Sequence, residues 1–283
     1  SGARCIPPHR SQERVRHTDR FPKRYDSICQ MKQEIPYARY DYAVQPREVD
    51  LTKRATIITL GDSILHTAGE DDRIGFGIRN LQSKDSTWVL SRIAVEIDRL
   101  PAEYERYTVG TWVGEIGRLM TTRNFIVTDA GGQRIAAAST LWAMIDVKTR
   151  QPLDLRDNVD YSRALLAIPC PIDKPAKIGR IEGVPCDSRR VRDSDIDFNQ
   201  HTNSMKYIQW MLDALPLEKL TGCRMKRLDV NFVHETRYGQ QLVVCCEYGT
   251  DRDRFEIRFE DGTAACKAAI RWETSDERSN QTA

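Results

Sequence analysis

The chain has 283 residues, 40% of them hydrophobic and 30% charged, enough to bury a substantial core as one large domain or two smaller ones. Its 43 basic and 41 acidic side chains leave a net charge of +2, which gives no electrostatic footprint for nucleic acid. No apolar run approaches the ~20 residues of a membrane span. The eight cysteines form no CxxC pair and no Cys/His grouping with zinc spacing, so they read as scattered, mostly buried thiols of a reducing compartment. No metal and no cofactor is expected.

Residues 1–36, rich in Arg, Pro and polar groups, read as a flexible arm. Glu13, Asp19, Asp26 and Glu34 argue against an Arg-rich transit peptide, and an apolar signal-peptide core is missing. Residues 37–150 form a first unit. A polar segment leads into an amphipathic helix over about 54–68, and strands follow at about 88–98, 106–117, 121–129 and 134–146. The glycine- and charge-rich stretch Gly69–Asp85 reads as a long loop. Residues 151–176, with Pro152, Pro169, Pro171 and Pro175, read as a linker. Residues 177–275 repeat the order: a helix over about 202–214 with Met205, Ile208, Leu212 and Leu215 on one face, then strands at about 224–234, 241–249, 253–260 and 263–273. Asp129-Ala-Gly-Gly132 and Glu260-Asp-Gly262 are hairpin turn signals. Residues 276–283 are a tail.

The halves match in three places. Asp50 lies over Asp197 at an offset of 147, Arg92 over Arg227 at 135, and Trp142 over Trp272 at 130. Their common order and slowly falling offset argue for a duplicated unit. One helix followed by an antiparallel run of strands must bury that helix against the sheet, an α+β arrangement.

The copies differ where chemistry is concentrated. Asp197, Asn199 and His201 stand two residues apart just before the second helix, whose N-terminus favours developing negative charge. The first copy has Asp50, Thr52 and Arg54 there, without the amide and the imidazole. Asp197 through Tyr207, Asp-x-Asn-x-His-x-Asn-x-x-x-Tyr, resembles the signature of the acyl-acyl-carrier-protein thioesterases of plants and bacteria. Thr87–Arg92, Thr111-Trp112, Arg123-Asn-Phe125 and Ser139–Trp142 also resemble that family, and the likeness covers about residues 37 to 273.

The resemblance implies two tandem hot-dog units, each an antiparallel sheet wrapped around one long helix, with the sheets joined edge to edge. It implies a thioester hydrolase that releases free fatty acid from acyl-acyl-carrier protein. It adds Glu235 to Asp197, Asn199 and His201, because Glu235 matches the family's carboxylate by position. Plant members carry a cysteine at the next position, where this chain has Thr236, so attack by water is expected in place of a cysteine nucleophile. Glu235 or His201 is the base, Asn199 holds the water or the carbonyl, Asp197 orients His201, and backbone N–H groups near Thr202–Ser204 face the oxyanion. The first unit shapes the substrate cavity, with Gly69–Asp85 as a surface loop, lid or tunnel wall. The expected partner is acyl carrier protein, the expected state a monomer or homodimer, and the expected location cytoplasmic, a bacterial cytosol in preference to a plastid stroma. Alternatives of similar fold are an acyl-CoA thioesterase, a non-catalytic acyl-binding module and a dehydratase.

Overall fold

The computed structural model describes residues 37–71, 85–158 and 165–273. The expected arm (1–36), the tail (276–283) and residues 72–84 of the expected Gly69–Asp85 loop lie outside them, and Gly69–Asp71 are helical, not loop. The strands are β1 (Ala38–Ala43), β2 (Ser86–Ile97), β3 (Arg106–Ile116), β4 (Thr121–Asp129), β5 (Arg134–Asp146), β6 (Val184–Arg190), β7 (Met225–Phe232), β8 (Gln241–Glu247), β9 (Arg252–Phe259) and β10 (Ala264–Trp272). The helices are α1 (Ile57–Asp71), the single turn α2 (Leu155–Asn158), α3 (Ser204–Asp213) and α4 (Leu217–Gly222).

All ten strands belong to one antiparallel sheet with the order β1-β3-β4-β5-β2-β7-β10-β9-β8-β6. The order reads the same from either end once β1 is matched to β6, β2 to β7, β3 to β8, β4 to β9 and β5 to β10. Each half is therefore an antiparallel sheet wrapped on one long helix, the hot-dog arrangement, and the two halves meet through β2 and β7. In that joint Arg92 pairs with Asn231, Ala94 with Asp229 and Glu96 with Arg227. Under the offset of 135, Ala94 and Asp229 are equivalent positions. Equivalent residues facing each other at the centre of an antiparallel ladder is what a twofold axis through the joint requires.

The expected interior strands agree with the structure to within two residues, and the two long helices to within three. β1 and β6 were not expected. Both are edge strands, and β1 alternates only between half-buried and exposed positions. β6 carries Pro185 and mostly polar side chains, as an exposed edge requires. The segment read as a linker is strapped to the sheet. Ile172 packs on Ala94 and Ala137. Trp112 Nε1 donates to Ile168 O at 3.0 Å, and the Asp229 and Asn231 side chains accept the N–H groups of Ala176 and Ile178 at 2.9 Å.

One continuous apolar core runs beneath both helices, including Ile57, Leu60 and Ile64 of α1 and Met205, Ile208 and Met211 of α3. The helices approach closely at Gly61, where a Cβ would collide with the Met205 thioether. Phe125 of β4 is fully buried in this core. In the first half a buried ion pair ties the end of α1 to β4: Arg123 Nη1 lies 2.5 Å from Asp71 Oδ2.

One sequence expectation is corrected here. Cys186 and Cys246 are joined in a disulfide, and are not both free thiols. β6 and β8 are neighbours, and a register shift between Pro185 and Asp187 brings Cys186 beside Cys246 with Cα atoms 6.0 Å apart, within disulfide range. Spacing gave no hint, because the partners lie 60 residues apart. Cys170, Cys223, Cys245 and Cys266 are free, and burial pushes the thiol pKa of fully buried Cys266 far up.

Candidate active site

The segment before α3 is a tight loop closed by a bridge between Ile196 and Thr202. Asp197 N donates to His201 O at 2.8 Å, and Gln200 N to Asp197 O at 3.0 Å. Gln200 takes a left-handed φ of +66° to complete the turn. The Asp197 carboxylate accepts the backbone N–H of Asn199 at 2.8 Å and of His201 at 3.3 Å through Oδ1. Asn203 then caps α3 by accepting Met205 N at 2.8 Å.

The first half builds the same loop. Asp50 N donates to Arg54 O at 2.9 Å, Lys53 N to Asp50 O at 3.0 Å, and Asp50 Oδ1 accepts Thr52 N at 2.7 Å. Lys53, at the place of Gln200, has φ +57°. Thr56 takes the capping place of Asn203, with its hydroxyl accepting Thr59 N at 3.1 Å. The correspondence assigns the acid of the motif a structural role, since both copies use it to hold the turn. The expected orientation of the imidazole by Asp197 is not seen: its Oδ1 is held by main-chain N–H groups, and a different carboxylate faces the ring.

That group is Glu235. His201 Nε2 lies 3.2 Å from Glu235 Oε2, with the His side chain 18% and the Glu side chain 36% exposed. The other oxygen, Oε1, is bonded by Arg150 Nη2 from the turn after β5. Sequence reasoning missed Arg150, and nothing in its local sequence marks it. The Asn199 side chain is exposed on the same turn as His201. In the first half Arg54 replaces His201 and donates to Leu100 O at 2.9 Å. Leu100 stands where the offset of 135 places Glu235, so the carboxylate is absent there as well.

Thr236 is fully buried and its hydroxyl is occupied: Thr202 Oγ1 lies at 2.6 Å and Tyr207 Oη at 2.8 Å. Its N–H donates to Tyr207 Oη at 3.0 Å. Burial pushes the Tyr207 phenol up to about 12, against the hydrogen bond with Thr236. This knot fastens the segment carrying Glu235 to α3. Of the N–H groups expected to face an oxyanion, Thr202 donates to Thr236 O and Asn203 to Asp195 O, and Ser204 begins α3. His234, exposed beside Glu235, pairs with Ala264 O at 2.8 Å through Nδ1.

Two basic groups lie elsewhere in the second half. Arg224 and Lys226 lie 3.1 and 3.8 Å from Glu273, and Arg227 is 2.7 Å from both Glu96 and Asp229, so this cluster is neutralised internally. A pocket of about 390 Å³ opens where β6 runs into the loop, lined by Arg190, Arg192, Lys206 and Asp213 among others. It includes none of the four expected site residues. Among the described residues no group of three His, Cys, Asp or Glu side chains is placed to hold a metal ion.

Two family models match the chain: an acyl-ACP thioesterase N-terminal domain over residues 37–161 and an acyl-ACP thioesterase C-terminal domain over residues 183–274. Among solved structures, an acyl-ACP thioesterase from Bacteroides thetaiotaomicron is 35% identical with a TM-score of 0.79, covering 86% of this chain and 100% of that one. A 12:0-ACP thioesterase from Umbellularia californica shares the fold, with a TM-score of 0.72 at 19% identity over 84% of this chain and 94% of that one. The chloroplastic acyl-(acyl-carrier-protein) hydrolase FATB2 of Cuphea viscosissima is 26% identical, covering 90% of this chain. The chain spans 68% of the length of that relative, and 61% of a palmitoyl-acyl carrier protein thioesterase of Cuphea hookeriana.

Proposed function

The chain belongs to the acyl-ACP thioesterase family, which hydrolyses acyl-ACP thioesters to release fatty acid, and from that premise we propose that Asn199, His201 and Glu235 carry the reaction on a loop shaped by Asp197. The observation that carries this reading is the 3.2 Å contact between His201 Nε2 and Glu235 Oε2, which the otherwise matching first loop lacks.

The chemistry follows from the contacts. Both Glu235 oxygens are engaged, one by Arg150 and one by His201. With Nε2 turned to the carboxylate, His201 Nδ1 is the ring nitrogen left to accept a proton from water. Glu235 then stabilises the imidazolium that forms. The Asn199 amide and the Ser204 N–H at the start of α3 supply donors for the carbonyl oxygen. Tetrahedral collapse expels the carrier thiolate, which takes the proton back from His201. Thr236, buried and doubly bonded, takes no part in bond making.

We assign residues 177–275 the catalytic work and residues 37–150 the acyl cavity. Small changes in the core beneath α1 are then expected to alter chain-length preference and spare turnover. Phe125→Leu should move the preferred acyl length in a carrier-protein thioester series, at a stability cost on the order of 1 kcal/mol. A preference identical to the parent would remove this half from the cavity. A single chain supplies its own edge pairing through β2 and β7, so neither a monomer nor a homodimer needs a partner to complete the fold. No described helix is long and apolar enough to cross a membrane. We place the protein in a bacterial cytosol, in keeping with its likeness to the Bacteroides enzyme.

The test is hydrolysis of matched acyl-carrier-protein and acyl-CoA thioesters. A clear kcat/KM advantage for the carrier protein supports the assignment, and an advantage for CoA reverses it. No cysteine is expected to be essential. Reducing the Cys186–Cys246 bridge should lower unfolding stability by about 2–4 kcal/mol, as for a typical disulfide, and leave turnover at 25 °C unchanged. Thermal melts and assays with and without reductant check this, and turnover lost on reduction without unfolding would show that the site depends on the bridge.

A further inference from the structure

Arg150 lies in the turn after β5, in the half of the chain that lacks the site residues. Its guanidinium nevertheless bonds Glu235, 85 positions away. The backbone there is unusual. Arg150 has φ +59°, the left-handed region that favours glycine. The turn is closed around it: Arg150 N donates to Asp146 O at 2.9 Å, and Asp146 N to Gln151 O at 3.0 Å. The Asp146 carboxylate accepts the N–H groups of Lys148 at 3.0 Å and Thr149 at 2.6 Å. Hydrogen bonds to Thr149, with lesser help from Lys148, hold the Asp146 carboxyl below the usual carboxylate range. The position suits glycine, and an arginine occupies it.

Stability does not account for the choice. Both partners of the ion pair are 36% exposed, where such pairs contribute little, and a non-glycine residue in this conformation carries a cost. The pair's geometry does account for it. Glu235 follows the end of β7 on an exposed segment, with a side chain free to turn into solvent. A guanidinium on Oε1 fixes the carboxylate plane and leaves Oε2 facing the imidazole.

We propose that Arg150 is a positioning residue that holds Glu235 in register with His201, so that the active site is assembled from both halves of the chain. The inference rests on the reading of His201 and Glu235 as the reacting pair. It revises the division of labour between the halves: the first half supplies a cation to the site through the turn that leaves β5.

The test compares Arg150→Gly, Arg150→Lys and Glu235→Gln in the full chain. Arg150→Gly is expected to lower kcat by about tenfold to a hundredfold, the range of a lost charge-assisted hydrogen bond, with KM unchanged. Its thermal midpoint should hold or rise, because glycine accepts the left-handed turn. Guanidinium ion at low concentration should restore part of the lost turnover, and urea at the same concentration should not. Arg150→Lys should fall between the parent and the glycine variant. In a Glu235→Gln background Arg150→Gly should have no further effect. Full turnover in Arg150→Gly beside an inactive Glu235→Gln overturns the positioning role alone. Full turnover in Glu235→Gln overturns the site reading beneath it. A rise in KM with kcat intact makes Arg150 a substrate contact, and a parallel loss of kcat and melting temperature without guanidinium rescue makes it structural. Either result also overturns the proposal.

Discussion

His201→Ala lowers turnover on every acyl chain length by about 10²-fold or more, the range of a lost acid–base group, and does not move the preferred length. In the proposed mechanism the imidazole receives the water proton and returns it to the thiolate, steps common to all chain lengths. Its ring faces Glu235 at 3.2 Å, and the loop beneath it is held by main-chain bonds that the substitution leaves in place. The fold should therefore survive, which circular dichroism and a thermal melt check before kinetics. The readout is free acid released from a series of carrier-protein thioesters. Turnover preserved with only a shifted chain-length preference would end the catalytic assignment and leave an acyl-binding module.

The second large effect is on stability. Asp71→Ala is expected to cost about 3–5 kcal/mol, because it removes one member of a buried ion pair. The pair is 2.5 Å apart with side chains only 6% and 9% exposed. Removing both charges, as in Asp71→Leu with Arg123→Met, should recover most of the loss or exceed the parent, since a packed apolar pair carries no desolvation penalty. Urea unfolding of the two single variants and the double variant measures the coupling. A single variant with an unchanged midpoint would show that water reaches Arg123 and that the pair is not buried in solution.

What the sequence reveals and what it conceals divide along physical lines. Interior strands and the faces of α1 and α3 announce themselves, because burial imposes periods of two and of 3.6 residues. β1 and β6 stay silent because an edge strand keeps half its surface wet and needs no apolar alternation. The repeat is readable since the same loop must be built twice, and the lack of an amide and imidazole beside Asp50 is plain from the sequence. Asp197 shows the limit of a motif. Its place two residues before Asn199 invites a role in the chemistry, yet its Oδ1 closes a turn that also forms where there is no histidine. Arg150 and the Cys186–Cys246 bridge are concealed for another reason. Both depend on contacts between residues 85 and 60 positions apart, which only the assembled sheet brings together.

The paired loops give the molecule something a single-copy enzyme lacks. The turn at Asp50 meets the same folding demands as the turn at Asp197, down to the left-handed residue and the capped helix that follows, with the chemistry left out. It is an internal blank. Whatever it costs to build and hold such a turn is present in both copies, in one solvent and on one sheet. Only the excess at the second copy belongs to making a thioester react.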